Sequence, residues 1–120
     1  MKARRLLSVA APAFNEEENL PAFCAAVSEV MQRLEYDFEI VIAENGSTDG
    51  SLEVLRRLHA ADKRVRFVSL TRNFGHQGGI LAAMSHSRGD AVITMDADLQ
   101  HPPEFIPSLV AEWEKGFKIV

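Results

Sequence analysis

Val92-Ile93-Thr94-Met95-Asp96-Ala97-Asp98-Leu99-Gln100-His101-Pro102-Pro103 is the stretch on which the fold turns. A short apolar run of β-type residues stops abruptly at two carboxylates separated by one residue. Ligands of open α/β sheets bind outside the carboxyl ends of the strands. Two acids at such a place, with a third oxygen at Gln100, suit a hard divalent cation, Mg²⁺ or Mn²⁺. Such an ion keeps several waters and is held by one or two carboxylates plus substrate phosphates. The stretch therefore predicts a core strand that carries a metal-bound phosphate compound, most simply a nucleotide, at its end.

Working outward, apolar runs alternate with helical patterns, which implies a parallel sheet with crossover helices on both faces. Strands are predicted at residues 6–11, 38–43, 66–70 and 91–95, and a further one begins at Phe117-Lys118-Ile119-Val120. Asn15 reads as the N-cap of a first helix, with residues 16–18 supplying acids to its first turn. Leu20, Phe23, Cys24, Val27, Val30, Met31 and Leu34 give that helix an apolar face at three- and four-residue steps. Ser47 or Thr48 is placed to cap the second helix, whose buried side is Leu52, Leu55 and Leu58. A short third helix is expected over residues 80–86. Pro102-Pro103 opens a fourth, with Phe105, Ile106, Leu109, Val110 and Trp113 inward, and Gly116 stops it. No internal repeat, linker or low-complexity segment interrupts the pattern.

The 120 residues fit one domain, and 47% hydrophobic with 25% charged residues is ordinary globular composition. A net charge of −4 argues against nucleic-acid binding, which needs a basic face. No apolar run reaches the roughly 18 residues of a membrane span. The single cysteine, Cys24, excludes an internal disulfide and reads as a buried small hydrophobe. The start, Met1-Lys2-Ala3-Arg4-Arg5 followed by Leu6-Leu7-Ser8-Val9-Ala10-Ala11-Pro12-Ala13, mimics a secretory signal. The apolar part is too short and a helix opens directly after it, so a basic flank before a first strand is the better reading.

If the sheet is parallel, four strand-end loops converge on one edge: residues 12–16, 44–49, 72–79 and 96–100. That convergence matters more than any one motif, because Asp-x-Asp alone matches often by chance. Phosphatases that form an aspartyl phosphate also carry such a pair. They normally place it after the first strand with a following threonine, and neither condition holds here. Phe14, Asn15 and Glu16 frame a loop mouth suited to a nucleobase, and plain helix capping accounts for the same residues. Glu44 is either a hydrogen-bond acceptor for base or ribose or a surface acid. Arg72, in a glycine-bearing loop, suits a phosphate or sugar contact, or else a surface salt bridge. The helix start near Gly78-Gly79 offers backbone N–H groups to an anion. For His76 and His101, each near this edge, a bland role is favoured; His59 and His86 read as helix-surface residues. There is no Ser-His-Asp or Cys-His arrangement and no zinc spacing.

These residues carry a family resemblance. Val9-Ala10-Ala11-Pro12-Ala13-Phe14-Asn15-Glu16-Glu17, Glu39-Ile40-Val41-Ile42-Ala43-Glu44-Asn45-Gly46-Ser47-Thr48-Asp49-Gly50-Ser51, Thr71-Arg72-Asn73-Phe74-Gly75-His76-Gln77 and Gly89-Asp90 through Met95-Asp96-Ala97-Asp98-Leu99-Gln100-His101-Pro102-Pro103-Glu104 follow one another in order across almost the whole chain. The chain resembles the donor-binding half of a family 2 glycosyltransferase of GT-A type, in particular the polyprenyl-phosphate, dolichol-phosphate mannosyltransferase-like branch. The resemblance implies a Rossmann-like nucleotide-sugar fold over residues 1–120, truncated before the acceptor half. It implies a nucleotide pocket drawn from Pro12, Ala13, Phe14, Asn15, Glu16, Glu44, Asn45, Arg72, Gly75, Gln77, Asp96, Ala97 and Asp98. Asp96, Asp98 and Gln100 would hold Mg²⁺ or Mn²⁺ against the donor diphosphate, with Asp98 assigned to catalysis. The donor would be a UDP- or GDP-linked sugar, the acceptor a polyprenyl phosphate at the cytoplasmic face of a membrane, and the transfer inverting, in cell-envelope glycan assembly.

Two departures stand out. The family usually shows Asp-Asp-Gly-Ser where this chain has Glu44-Asn45-Gly46-Ser47, so base and sugar preference are open. The acceptor half is absent, so the chain is expected to bind donor but to turn over poorly, and its open sheet edge invites self-association. Two other functions compete. A sugar-1-phosphate nucleotidyltransferase would carry a Gly-rich, Arg/Lys-bearing loop after its first strand, where this chain has Pro12-Ala13-Phe14-Asn15-Glu16. A non-catalytic binding or assembly module of the same fold would lack metal-dependent nucleotide affinity.

Overall fold

The computed structural model describes residues 5–98 and 102–116. The chain runs β1 (Leu6–Ala13), α1 (Leu20–Gln32), β2 (Asp37–Glu44), α2 (Ser51–Ala61), β3 (Val65–Ser69), α3 (Gly75–Ser85), β4 (Ala91–Thr94), a 3₁₀ turn (Pro103–Phe105) and α4 (Ile106–Glu114). The four strands form one sheet in the order β3-β2-β1-β4, and every pairing is parallel. Val9 pairs with Ile40 on one side and Ile93 on the other. The expected basic flank up to Arg4, the strand from Phe117, and Gln100 and His101 lie outside the described residues.

The chain first steps from β1 to β2 to β3, then crosses back over β1 to β4. Parallel crossovers are right-handed, so reversing the direction of travel moves the connecting helix to the other face. The packing follows this rule. Leu7, Val9, Ala11 and Ala13 of β1, with Ile40 and Ile42 of β2, bury against Leu20, Phe23 and Val27 of α1, Leu55 of α2, and Ile106 and Val110 of α4. The opposite face is thinner: Ala10 and Ala43 meet Ala83 of α3. Burial on both faces is why β1 reads as a near-continuous apolar run rather than an alternation. The reversal also creates a switch point between β1 and β4, and the crevice beyond their carboxyl ends is where such sheets bind ligands.

Several expectations need correction. Asn15 does not cap α1; the cap position is Asn19, which makes no side-chain capping bond, and Pro21 sits in the first turn. Residues 17–19 form a turn ahead of the helix. The second helix starts at Ser51 behind Gly50, so neither Ser47 nor Thr48 caps it. The third helix begins at Gly75, five residues early, and runs straight through Gly78-Gly79. Glycine has poor helix propensity, but packing overrides it. A Cβ on Gly79 would lie 2.7 Å from Pro12 Cβ and 3.0 Å from Asn45 Nδ2, so only glycine lets α3 lie this close to the sheet. Phe105 points outward and is 60% exposed. His59 is half-buried, with Nδ1 2.6 Å from the Val65 carbonyl oxygen and its ring edge-on to Phe67. Gly116, with φ of 101°, does end α4 as expected. Cys24 is buried, which pushes its thiol up to about 12, with the Asp62 charge adding to the effect.

The amino end of the sheet holds a buried acid. Glu39 Oε2 accepts from the Ser8 hydroxyl at 2.6 Å and from the Arg88 backbone N–H at 2.7 Å. Its Oε1 accepts from Arg66 Nη1 at 2.7 Å. Ser8 Oγ in turn accepts from the Gly89 N–H, and Arg66 Nη1 also reaches the His86 carbonyl. One carboxylate thus ties β1, β2 and β3 to the turn between α3 and β4. Burial by itself would raise the pKa of Glu39, but the donors from Arg88, Ser8 and Arg66 win and hold its carboxyl below the ordinary value.

Candidate functional site

At the carboxyl end of the strands a cleft of about 260 Å³ opens at the switch point. Pro12, Ala13, Phe14 and Glu16 line it from the end of β1, Asn45 from β2, Asn73 and His76 from the approach to α3, and Asp96, Ala97 and Asp98 from the end of β4. The loops that converge in sequence order on paper therefore share one concave surface. Pairing carries the last of them into place: the Met95 N–H donates to the Ala10 carbonyl at 3.0 Å, so the chain leaves the sheet only at Asp96.

The first two loops are interlocked. The Asn15 N–H donates to Ser47 Oγ at 2.9 Å and the Glu16 N–H to Ser51 Oγ at 3.0 Å. Returning across the gap, the Thr48 N–H donates to Asn15 Oδ1 at 2.9 Å. Asn15 holds φ of 54°, a left-handed conformation that asparagine tolerates better than most residues. Its carbonyl oxygen is thus committed to the neighbouring loop. Asp49 Oδ1 accepts from both the N–H and the hydroxyl of Ser51. Although burial raises the Asp49 carboxyl, these bonds with the Glu17 N–H lower it overall.

Glu44 and Asn45 hold the loops together from beneath. Glu44 is 3% exposed, and its Oε1 accepts the Ser47 N–H at 2.6 Å; it is not a surface acid and does not line the cleft. Asn45 is 2% exposed. Its Oδ1 accepts the Phe74 N–H at 3.0 Å while its Nδ2 donates to the Gly75 carbonyl at 2.8 Å. An amide can donate and accept at once, whereas an aspartate here would lose the donated bond. Beside it Gly46 has φ of 76°, and a Cβ there would fall 2.5 Å from the Arg72 carbonyl carbon. Asn45 and Gly46 explain how a loop after β2 fixes the start of α3.

Arg72 stacks its guanidinium 4.7 Å above the Phe74 ring, a cation–π contact. Arg72, Gly75 and Gln77 lie on the approach to α3 and its first turn, and none lines the cleft. Asn73 and His76 do line it. Asn73 gave no signal in the sequence beyond its place in a quoted loop. His76, for which the sequence favours a bland role, has its Nε2 3.2 Å from Asp96 Oδ1. That proximity is a product of the reversal that lays α3 beside the end of β4.

Asp96 and Asp98 are half-buried on one side of the cleft. Among the described residues, no three His, Cys, Asp or Glu side chains converge into a closed metal cage. Two carboxylates on an open wall fit Mg²⁺ or Mn²⁺ completed by water and substrate phosphate, and do not fit a structural zinc site. Phe14, 42% exposed, stands at the mouth with an aromatic face available for stacking. A second cleft, of about 420 Å³, runs along the outer edge of β4 and is lined by Leu7, residues 90–94, Leu109, Val110 and Trp113. It carries no cluster of chemistry-bearing side chains other than Asp90, whose Oδ2 accepts the Leu6 N–H.

Proteins similar in sequence, and structures similar in shape, are known. Residues 8–120 match the family described as glycosyl transferase family 2. The chain is 43% identical over 115 residues to an undecaprenyl-phosphate 4-deoxy-4-formamido-L-arabinose transferase of Pseudomonas fluorescens, covering 95% of this chain and 34% of that protein. It is 40% identical over 114 residues to a bactoprenol glucosyl transferase of Shigella phage SfV, covering 95% of this chain and 37% of the relative. A mannosyltransferase of Pyrobaculum calidifontis, solved with GDP-Man and Mn²⁺, superimposes with a TM-score of 0.72 at 22% identity, over 93% of this chain and 32% of that one. The chain thus spans about a third of the length of these relatives. No helix among the described residues is long and apolar enough to cross a membrane. With the match covering nearly the whole sequence and the GT-A architecture in place, the chain belongs to glycosyl transferase family 2.

Proposed function

We propose that residues 1–120 are the donor-binding domain of an inverting glycosyltransferase that moves a sugar from a nucleoside diphosphate to a polyprenyl phosphate. The observation that carries this reading is the cleft itself, where Asp96 and Asp98 face the Phe14 loop across the β1–β4 switch point. In that cleft Phe14 stacks on the nucleobase, and Glu16 and Asn73 accept or donate to the nucleoside. Asp96 and Asp98, with Gln100 as a third oxygen, hold a divalent cation. A cation held there would supply positive charge against the departing nucleoside diphosphate, which would leave the anomeric carbon open to attack by the acceptor phosphate oxygen. The acceptor phosphate is already anionic and needs little help from a base. Undecaprenyl phosphate is named for the relative from Pseudomonas, bactoprenol for that from the Shigella phage, and Mn²⁺ with GDP-Man for the Pyrobaculum enzyme. Those names support a polyprenyl acceptor and a metal-bound nucleotide donor; a lipid acceptor would in turn hold the whole enzyme at a membrane face, the cytoplasmic one in our reading.

Calorimetric titration with UDP and with GDP, with and without Mn²⁺, tests the reading on the wild-type chain and on Asp98→Asn. Metal-dependent binding of one nucleotide, lost in Asp98→Asn, is the expected result and names the base. Equal binding with and without metal, or binding retained in the variant, overturns it.

A further inference from the structure

We propose that His76 is a positioning residue for the metal-binding carboxylate of Asp96. The inference rests on the donor-site reading above, but concerns a residue that reading does not use. His76 Nε2 lies 3.2 Å from Asp96 Oδ1, within reach of a hydrogen bond in the tautomer that carries its hydrogen on Nε2. A carboxylate that ligates a metal through one oxygen is commonly held by a donor on the other, and such outer partners set ligand orientation.

The base of His76 is firmly placed. The Asn45 amide grips the Phe74 N–H and the Gly75 carbonyl, one turn or less away. Gly79 seats the next turn against Pro12. At the far end of α3, Arg66 holds the His86 carbonyl and the Glu39 and Ser8 side chains hold the backbone of Arg88 and Gly89. The imidazole therefore extends from a helix fixed at both ends. Asp96, by contrast, is the first residue beyond the last backbone bond between β4 and β1, that of Met95. Its side chain leaves the sheet where the strand stops supplying register, so an outside contact is what sets its direction.

The energetics also favour orientation over stability. The His76 side chain is 61% exposed and that of Asp96 29%. Exposed pairs of this kind contribute little to folding because water competes for both partners. Removing the imidazole should leave the fold intact and change only how the carboxylate is presented.

The test uses Mn²⁺ alone, followed through the electron paramagnetic resonance signal of the free ion, on the full 120-residue chain. His76→Ala is expected to weaken Mn²⁺ binding by about 10-fold or more, the usual effect of losing an outer-sphere partner. His76→Gln, whose amide nitrogen reaches about as far as Nε2, is expected to restore affinity to within about 3-fold of wild type. Thermal melting of both variants should match wild type. Unchanged Mn²⁺ affinity in His76→Ala overturns the proposal. So does His76→Gln binding as weakly as His76→Ala, since that result makes the imidazole itself the ligand. Asp96→Asn and Asp98→Asn separate the two readings: if both bind Mn²⁺ as wild type does, the metal site is elsewhere and the donor-site reading falls, whereas loss in both with no effect at His76 sinks only the positioning role.

Discussion

Glu39 and the pair Asp96 and Asp98 sit at opposite ends of the same four parallel strands, and the protein treats the same functional group in two ways. At the amino end, Glu39 is 4% exposed and receives bonds from Ser8, Arg66 and the Arg88 backbone. Both its oxygens are engaged by the protein, so nothing is left to recruit a ligand. At the carboxyl end, Asp96 meets a mostly exposed imidazole, and with Asp98 it borders an open cleft. The difference teaches that burial with full satisfaction makes a carboxylate a fastener, while partial exposure on a concave wall keeps it available for chemistry. Parallel topology assigns the roles: the carboxyl ends of the strands carry the loops that diverge at the switch point, and the amino ends carry the turns that must be pinned.

Breaking the fastener should produce the largest change. Glu39→Ala strips a charge partner from Arg66 and acceptors from the Ser8 hydroxyl and the Arg88 N–H. The expected loss is about 3 kcal/mol. For a chain of this size that lowers the melting temperature by roughly 10 °C, readable by circular dichroism. A variant that melts within 2 °C of wild type would show that the network holds no part of the fold.

Acid should act next, and through the same group. Glu39 titrates below its unfolded value of about 4.5, so its contribution to stability is complete above that pH. It is lost as pH falls through the lower folded value. Asp49 and Asp62, also held low, add to the same acid loss, Asp62 chiefly through its bond from Arg64. Urea melts between pH 6 and pH 3 should therefore show a shallower decline for Glu39→Gln than for wild type. Equal slopes would remove Glu39 from the account.

Asp98→Asn should change stability least. Substitutions at partly exposed positions outside a buried network usually stay within about 0.5 kcal/mol. The same variant is expected to lose metal-dependent nucleotide binding, so the comparison sharpens to a carboxylate that matters for ligand and not for fold. A large drop in melting temperature for Asp98→Asn would erase the contrast.

Much of this was legible in the chain. The apolar runs gave the four described strands to within about two residues, and the alternation with helices gave a parallel sheet. The two aspartates were placed at a strand end because an apolar run cannot continue through them. What was missed has a common cause. Asn15 bonds backbone N–H groups, as an N-cap would, but those of Thr48 and Asp49 in another loop. Gly78-Gly79 looked like a helix start, yet the helix passes through because Pro12 lies against it. Glu39 stood inside an apolar run with no local sign that Ser8, Arg66 and Arg88 would surround it. His76 looked like any lone histidine. In each case the deciding partner is distant in sequence, and residue type alone does not name it.

The sequence by itself determined the class of fold, the order of its elements and the residue types presented at one edge, because side-chain periodicity and strand termini are local properties of the chain. Only the tertiary structure decided which of those residues face a common cleft and which are spent on holding loops. Asn45 and Asn15 hold loops through hydrogen bonds across the sheet edge, and Glu44 closes its own loop on the Ser47 N–H. Asp96 and His76 meet because the crossover from β3 to β4 reverses direction and lays α3 beside the end of β4. Hydrogen bonds and ion pairs are short-ranged, so their partners are set by where the folded chain brings them, not by how the residues are spaced along it.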